Sequence, residues 1–267
     1  MEKLKVSIVT AAYNSAATIG DTVRSVVAQT YEPVEHIIVD GGSTDGTVEV
    51  VKELERLYAP GKRLVVGSGP DRGIYDAMNK GIARATGDVI GILNSDDFFS
   101  SPNSLGRLMD ALTKDVDAVY ADLHYVSDSD LTVPLRIYHS GAFSRRRMLM
   151  GMQPAHPTFY CRRECYERFG GFDIDFKVAA DFEQLLRMIY VGRIRTCYVP
   201  FDCVTMRLGG ASTSGLASHR QIMRDHRRAY KKNHVPGNFF TDSLRYFWKL
   251  GELAGARLRW NRNELND

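Results

Sequence analysis

GPDRGIYDAMNKGIARATGDVIGILNSDD, residues 69–97, decides the fold. It opens in glycine and proline turn chemistry, continues as a helix over IYDAMNKGIARA and passes into the short apolar run DVIGILN, which ends in Asn94, Ser95, Asp96 and Asp97. A helix feeding a buried strand with polar residues at its carboxyl end is half of a βαβ unit.

The upstream residues supply the other half. KVSIVTAAY (5–13) is a β-branched run, AATIGDTVRSVVAQT (16–30) carries apolar residues at helical spacing, and EHIIVD (35–40) is a short buried strand. After the turn GGSTDGT (41–47) comes a helix through VEVVKELERLY (48–58), then a strand at RLVVGS (63–68). This alternation predicts a mainly parallel central sheet covered on both faces by helices. Beyond residue 125 the rhythm loosens, with strands expected at TVPLRIYH (132–139), PTFYC (157–161) and IRTCYVP (194–200), and a helix at ADFEQLLRMIY (180–190). With no linker between the halves, residues 1–215 read as one α/β domain, divided into 1–125 and 126–215, followed by a helical extension over 216–267.

The chain has 267 residues, 44% hydrophobic and 25% charged, enough to bury a core and unlike a disordered, collagen-like or disulfide-stapled composition. The net charge of +3 gives no bulk attraction to nucleic acid. That sum conceals an asymmetry: residues 216–267 hold eleven Lys and Arg against five Asp and Glu. There Phe240, Leu244, Phe247, Leu250, Ala254 and Leu258 recur at helical spacing among Arg245, Lys249 and Arg257. The pattern suits a basic amphipathic helix on an anionic membrane surface, and equally a terminal helix docked on protein. No run reaches the roughly 18 apolar residues of a bilayer span, and KLKVSIVTAAYNSA, interrupted by Ser7 and Thr10, reads as a first strand rather than a leader. The spacing of Cys161, Cys165, Cys197 and Cys203 matches no structural zinc site, so they read as free thiols of a reducing cytosol.

Ligands of an open parallel sheet bind at the strands' carboxyl ends, which places Thr10, Tyr13, Asp40, the 67–73 turn and the 94–97 acids around one crevice. Adjacent carboxylates repel unless a cation lies between them. Mg²⁺ or Mn²⁺ held by one or two carboxylates, with diphosphate oxygens completing the shell, answers that need, whereas capping of the next helix is the plainer use of Asp96 and Asp97. TAAYNSAA (10–17) lacks the Gly-x-Gly-x-x-Gly of a dinucleotide fold, and no phosphate-binding P-loop is present.

Together, VSIVTAAYNSAATIGDTVRSVVAQTY (6–31), HIIVDGGSTDGT (36–47), the 69–97 stretch, HPTFYCRRECYERFGGFD (156–173) and AADFEQLLRM (179–188) resemble, in order and spacing, the inverting family 2 glycosyltransferases of the GT-A fold. The flavour is that of enzymes building capsule, exopolysaccharide or O-antigen units. The resemblance implies a Mn²⁺- or Mg²⁺-dependent transfer of a sugar from a nucleoside-diphosphate donor, expected to be UDP-linked, to a hydroxyl of a glycan or lipid-linked saccharide. It implies a cytoplasmic enzyme, peripheral on the membrane's inner face if the tail helix binds lipid.

By the same resemblance, Thr10, Tyr13 and Asp40 line the base pocket, and Asp71 or Arg72 reaches the base or ribose. Asn94 stands where many members carry the first aspartate of an Asp-x-Asp; Asp96 is then the expected metal ligand and Asp97 its assistant. Asp181 matches the catalytic base, with Glu183 the weaker candidate. His156 falls in the segment placed near the acceptor and diphosphate. Arg207, with LGGASTSG (208–215), is a candidate lid over the diphosphate, although such a loop needs no function. Arg145, Arg146 and Arg147 are candidates for acceptor phosphates or a plain solvated loop. A sugar-phosphate nucleotidylyltransferase should carry a glycine-rich basic loop after strand one, which is missing. A silent binding module has no need of Asp40, Asp96, Asp97 and Asp181 together.

Overall fold

In the computed structural model, which describes residues 3–208 and 215–236, four parallel strands form the first half of the sheet. They are β1 (Val6–Ala12), β2 (Val34–Asp40), β3 (Lys62–Ser68) and β4 (Val89–Ile92), in the order β3-β2-β1-β4. Helices α1 (Ile19–Val27), α2 (Thr47–Leu54) and α3 (Ile74–Arg84) make the crossovers. Every residue of β1, β2 and β4 is buried, so these strands are rich in apolar residues and their few polar ones, such as Ser7, Thr10, Glu35 and His36, are hydrogen-bonded inside, while edge strand β3 alternates. Successive residues serve opposite faces: Ile8 packs with Val34, Val89 and Leu105, and Val9 with Ile37, Ala77 and Ile90.

The second half departs from the parallel pattern. β5 (Phe98–Phe99), α4 (Ser104–Ala111), β6 (Ala118–Val126), β7 (Arg136–Tyr138), β8 (Tyr160–Arg162), α5 (Arg163–Phe169), α6 (Ala180–Leu185), β9 (Thr196–Arg207) and α7 (Gly215–Lys232) follow in order. β8 lies antiparallel between β4 and β6, and β9 pairs parallel with β6, so the sheet continues as β4-β8-β6-β9-β5 with β7 on β6. The run of parallel neighbours is therefore broken at β8, and parallel pairing returns between β6 and β9. β8 enters from a loop of short 3₁₀ turns rather than through a crossover helix, and runs opposite to its neighbours. The junction is tight: Gly91 faces Tyr160, whose buried ring would lie 2.1 Å from any Cβ placed there.

Helices α4 and α5 and strand β6 were not singled out by the sequence pattern. α6 continues through a π-helical turn over Leu186–Val191, spanning the expected helix. α7 supplies Ala229 and Tyr230, and the residues after it Val235, to the same core as Phe182 and Ile90. The Tyr230 hydroxyl donates to the Met148 carbonyl at 2.7 Å and accepts from the Gly151 amide at 3.1 Å. The amphipathic pattern from Phe240 to Leu258 lies outside the described residues, as does most of LGGASTSG.

Candidate active site

The carboxyl ends of β1, β2 and β4 open onto a cavity of about 680 Å³. Its wall includes Tyr13, Asn14 and Ser15 after β1, Gly41 after β2, Asp71 and Gly73 before α3, and Asn94, Ser95 and Asp96 after β4. Gly41 sets the shape of one side. A Cβ there would lie 2.5 Å from Asp71 Oδ2 and 3.3 Å from the Tyr13 ring, so a larger residue would push the Asp71 carboxylate away from the strand end. Tyr13, on this wall, is 66% exposed. Asp71 is held by the Gly73 amide at 2.9 Å.

Two residues expected at the base pocket sit behind this wall. Asp40 is buried, and its carboxylate accepts from the Gly42 amide at 3.0 Å, the Ser43 amide at 3.1 Å, the Ser68 hydroxyl at 2.6 Å and the Ser43 hydroxyl. Burial alone would raise its pKa; these hydrogen bonds outweigh it and hold the carboxylate below the usual range. Asp40 thus builds the turn that presents Gly41. Thr10 is likewise buried and donates to the Leu93 carbonyl at 2.7 Å. Its oxygen then accepts from His36 Nε2 at 2.9 Å, which leaves His36 Nδ1 to accept from the Tyr58 hydroxyl at 2.6 Å.

This relay has a consequence for stability. Burial pushes the His36 pKa down from 6.5 to about 3, so between those values the unfolded chain binds a proton that the folded one does not. Stability therefore rises with pH across that window, and acidification to about pH 5 should cost about 2 kcal/mol through His36 alone. Chemical denaturation at neutral and acidic pH checks this; a His36→Asn variant, less stable at the start, should lose most of the slope.

The acidic tip of β4 splits into two environments. Asp96 lines the cavity, and burial raises its pKa although Arg207 opposes the shift. Asp97 is 0% exposed: Asn94 Nδ2 donates to its Oδ2 at 3.2 Å, and its carbonyl accepts from the Thr22 hydroxyl at 2.7 Å. Burial, with Asp96 adding to it, pushes Asp97 well above the carboxylate range. Its Oδ1 and the Oδ1 of Asn94 are buried without a hydrogen-bond partner among the described residues. Arg207 donates to the Asp96 carbonyl at 2.8 Å and pairs with Asp21 at 2.6 Å and Asp128 at 3.2 Å, so its guanidinium fixes the loop from beneath.

These oxygens suit a hard cation. Mg²⁺ and Mn²⁺ take oxygen ligands, and Mg²⁺ is often held by a single protein carboxylate, the rest of its shell being water and phosphate oxygen. Asp96 supplies that carboxylate at the cavity wall. No group of three or more His, Cys, Asp or Glu ligands occurs among the described residues, so a protein-only cage is not what this donor set offers.

A second cluster gathers at the start of α6. The Asp181 Oδ2 accepts from Gln153 Nε2 at 2.7 Å, and the Gln153 carbonyl accepts from the Tyr138 hydroxyl at 2.8 Å. His156 packs edge-on against Phe172 at 5.5 Å; burial lowers its pKa, and the nearby Asp181 opposes this. Glu183 faces elsewhere, buried and paired with Arg187 at 3.0 Å and Asn233 at 3.0 Å. α3 connects the clusters: Ile74 and Ala77 line the cavity, while Tyr75 donates to the Val178 carbonyl beside Asp181.

Other expected residues are not part of the cavity wall. Arg72 pairs with Asp76 at 2.9 Å, helping to hold that carboxylate at about 2, and its side chain is 72% exposed. Arg147 donates to the Ala142 carbonyl, Arg145 lies 5.9 Å from the Tyr190 ring, and Arg146 is exposed. The sequence places Asn14 and Ser95 at strand ends without giving them a role, and does not single out Ser15, Gly41 or Gln153. Of these, Asn14 sits at φ 48° and ties the β1 loop to the β2 loop, donating to the Ser43 hydroxyl at 2.8 Å and accepting from the Thr44 amide at 3.1 Å. The only signal was Asn as a turn residue.

The sequence pattern of the family described as Glycosyl transferase family 2 matches residues 7–169. An uncharacterized glycosyltransferase of Mycobacterium tuberculosis is 34% identical over 221 residues, which cover 81% of this chain and 78% of the relative. A PGL/p-HBAD biosynthesis glycosyltransferase of Mycobacterium bovis is 30% identical over 185 residues, 68% of each chain. Among solved structures, Staphylococcus aureus TarS 1-349 in complex with UDP-GlcNAc superposes with a TM-score of 0.65 at 19% identity, covering 85% of this chain and 66% of that one. The mannosyltransferase PcManGT from Pyrobaculum calidifontis, in complex with GDP-Man and Mn²⁺, gives 0.62 at 18% identity, covering 97% and 84%. At these identities the structural likeness establishes the fold.

Proposed function

The chain belongs to glycosyl transferase family 2 and is a glycosyltransferase, and from that premise we propose that it moves one sugar, with inversion, from a nucleoside-diphosphate donor to a hydroxyl of a glycan or lipid-linked saccharide. The observation that carries this reading is Asp96 on the wall of the strand-end cavity, which α3 also lines through Ile74 and Ala77. Asp181, held by Gln153, is near enough to Tyr75 of the same helix to raise its pKa.

In this reading the base stacks against Tyr13 beside Asp71, and the diphosphate points toward Ser95 and Asp96. Asp96, backed by Asn94 and Asp97, would hold Mn²⁺ or Mg²⁺, which when bound neutralises the diphosphate oxygens of the leaving group. The acceptor hydroxyl attacks the anomeric carbon from the face opposite the diphosphate. Its oxygen forms the new glycosidic bond, the bond to the diphosphate breaks, and the hydroxyl proton passes to Asp181. His156, kept neutral by burial, borders the acceptor. Arg207 positions Asp96 rather than reaching substrate.

A UDP-sugar is the first donor to test, because the TarS structure holds UDP-GlcNAc, with GDP-mannose second on the strength of PcManGT. Purified protein with Mn²⁺ and a panel of sugar nucleotides should bind one donor and hydrolyse it slowly; absence of binding to every donor, with or without metal, refutes the proposal. Gln153→Ala should lower kcat about tenfold by loosening the base while leaving donor affinity unchanged. Weakened donor binding in that variant would place Gln153 in the nucleotide pocket instead.

We further propose a role in surface glycan assembly, at the cytoplasmic face of a membrane that the basic 216–267 segment engages. Among the described residues no helix is long and apolar enough to cross a membrane. Removal of residues beyond about 235 should lower recovery on anionic vesicles while sparing donor binding; unchanged recovery would favour a tail docked on protein.

A further inference from the structure

The segment that delivers Asp181 lies along one face of α7. Asp225, Arg228 and Lys232 recur at i, i+3 and i+7, so they share that face. They meet the chain entering α6 in reverse order. Lys232 pairs with Asp173 at 2.8 Å, Arg228 donates to the Asp175 carbonyl at 2.9 Å, and the Asp225 Oδ2 accepts from the Val178 and Ala179 amides at 3.0 and 3.2 Å. Phe176, within this segment, is buried, with the Arg228 and Lys232 cations 4.7 and 5.9 Å from its ring centroid.

These holds differ in weight. The Lys232 and Arg228 side chains are 43% and 49% exposed, and ion pairs open to solvent contribute little. Asp225 is 4% exposed, so its carboxylate accepts hydrogen bonds where water does not compete. Its other oxygen is committed as well, since Gln221 Nε2 donates to Oδ1 at 2.8 Å. Ala179, the residue before α6, has no side-chain cap to offer, and the acceptor for its amide comes from α7 instead. The chain is thereby fixed on both sides of Asp181. Val178 is held at its amide by Asp225 and at its carbonyl by the Tyr75 hydroxyl, while Phe182 stacks on His226, the neighbour of Asp225, with ring centroids 3.8 Å apart.

We propose that Asp225 is a positioning residue for the base: by holding the two amides that precede α6, it sets where the Asp181 carboxylate stands relative to the acceptor hydroxyl. The proposal rests on the reading of Asp181 as base. Asp225 does not line the strand-end cavity and acts through Asp181 alone. Asp181 lies in the first turn of α6, two residues beyond Ala179, so a shift of the Ala179 backbone passes to it without a flexible joint between them. Misplacement of a reacting group by about 1 Å costs on the order of 100-fold in rate. A donor pocket built from other strand ends is left as it was.

The test compares the full chain carrying Asp225→Ala with the parent, on the sugar nucleotide that binds in the donor panel. Affinity is read by titration and turnover by release of the nucleoside diphosphate. Donor affinity should be unchanged and kcat lower by about 10- to 100-fold. In an Asp181→Asn background the same change should cost less than about twofold, because no base remains to be positioned. A parent-like kcat in Asp225→Ala, a loss of donor affinity, or an equal fall in both backgrounds would overturn the proposal. Turnover of Asp181→Asn at the parent rate is a separate result: it removes the base reading, and the role of Asp225 with it. If Asp225→Ala does not fold, Gln221→Ala carries the test by freeing one oxygen of Asp225. Its kcat should fall about threefold at unchanged donor affinity, and not at all beside Asp181→Asn; an unchanged kcat in Gln221→Ala alone would then overturn the proposal.

Discussion

Asp181→Asn should keep the donor affinity of the parent protein and lose transfer by about 10²–10⁴-fold. The amide preserves shape and still accepts from Gln153 Nε2, which donates to Asp181 Oδ2 at 2.7 Å, so the start of α6 and the wall around it stay in place. What disappears is the capacity to take the acceptor's proton as the glycosidic bond forms. Isothermal titration with donor, paired with a transfer assay, separates the two effects. Transfer at the parent rate would remove Asp181 as base, and Glu183 cannot replace it because its carboxylate is occupied by Arg187, Asn233 and Lys232.

Asp96→Asn should act on the other side of the reaction. Loss of the cavity-wall carboxylate should weaken metal-supported donor binding and reduce transfer about 10²–10³-fold. Added Mn²⁺ at high concentration should recover part of it, since the diphosphate still offers oxygens. The same titration carried out with and without chelator gives the contrast: the parent protein should lose affinity when metal is removed, and the variant should change little. Parent-like, chelator-sensitive binding in Asp96→Asn would transfer the ligand role to another oxygen at the β4 tip. The orphaned Asn94 Oδ1 and Asp97 Oδ1 would be the first to examine.

The two carboxylates of the 94–97 tip illustrate why position in sequence does not assign a role. Asp96 and Asp97 are adjacent and chemically identical, yet one lines the cavity and the other is 0% exposed. Successive residues at a strand end point in different directions, and which one meets the crevice depends on how Arg207 and Thr22, distant in sequence, pin the loop. Thr10 and Asp40 were legible as polar residues closing buried strands. That they face inward, to His36 and to the 41–43 turn, depends on partners the local sequence does not reveal.

Local sequence determined the β1-α1-β2-α2-β3-α3-β4 half, because buried parallel strands must be mainly apolar and their crossover helices amphipathic. It also placed a polar crevice at the strand ends and a carboxylate at the start of α6. Tertiary structure alone decided the antiparallel insertion of β8, the separation of Asp96 from Asp97, the docking of α7 on the core and the hold of Gln153 on Asp181. The physical reason is common to all four. Periodicity and turn chemistry act over a few residues, whereas these features rest on contacts between segments from 28 to over 100 residues apart, whose free energy is realised only when the chain has closed on itself.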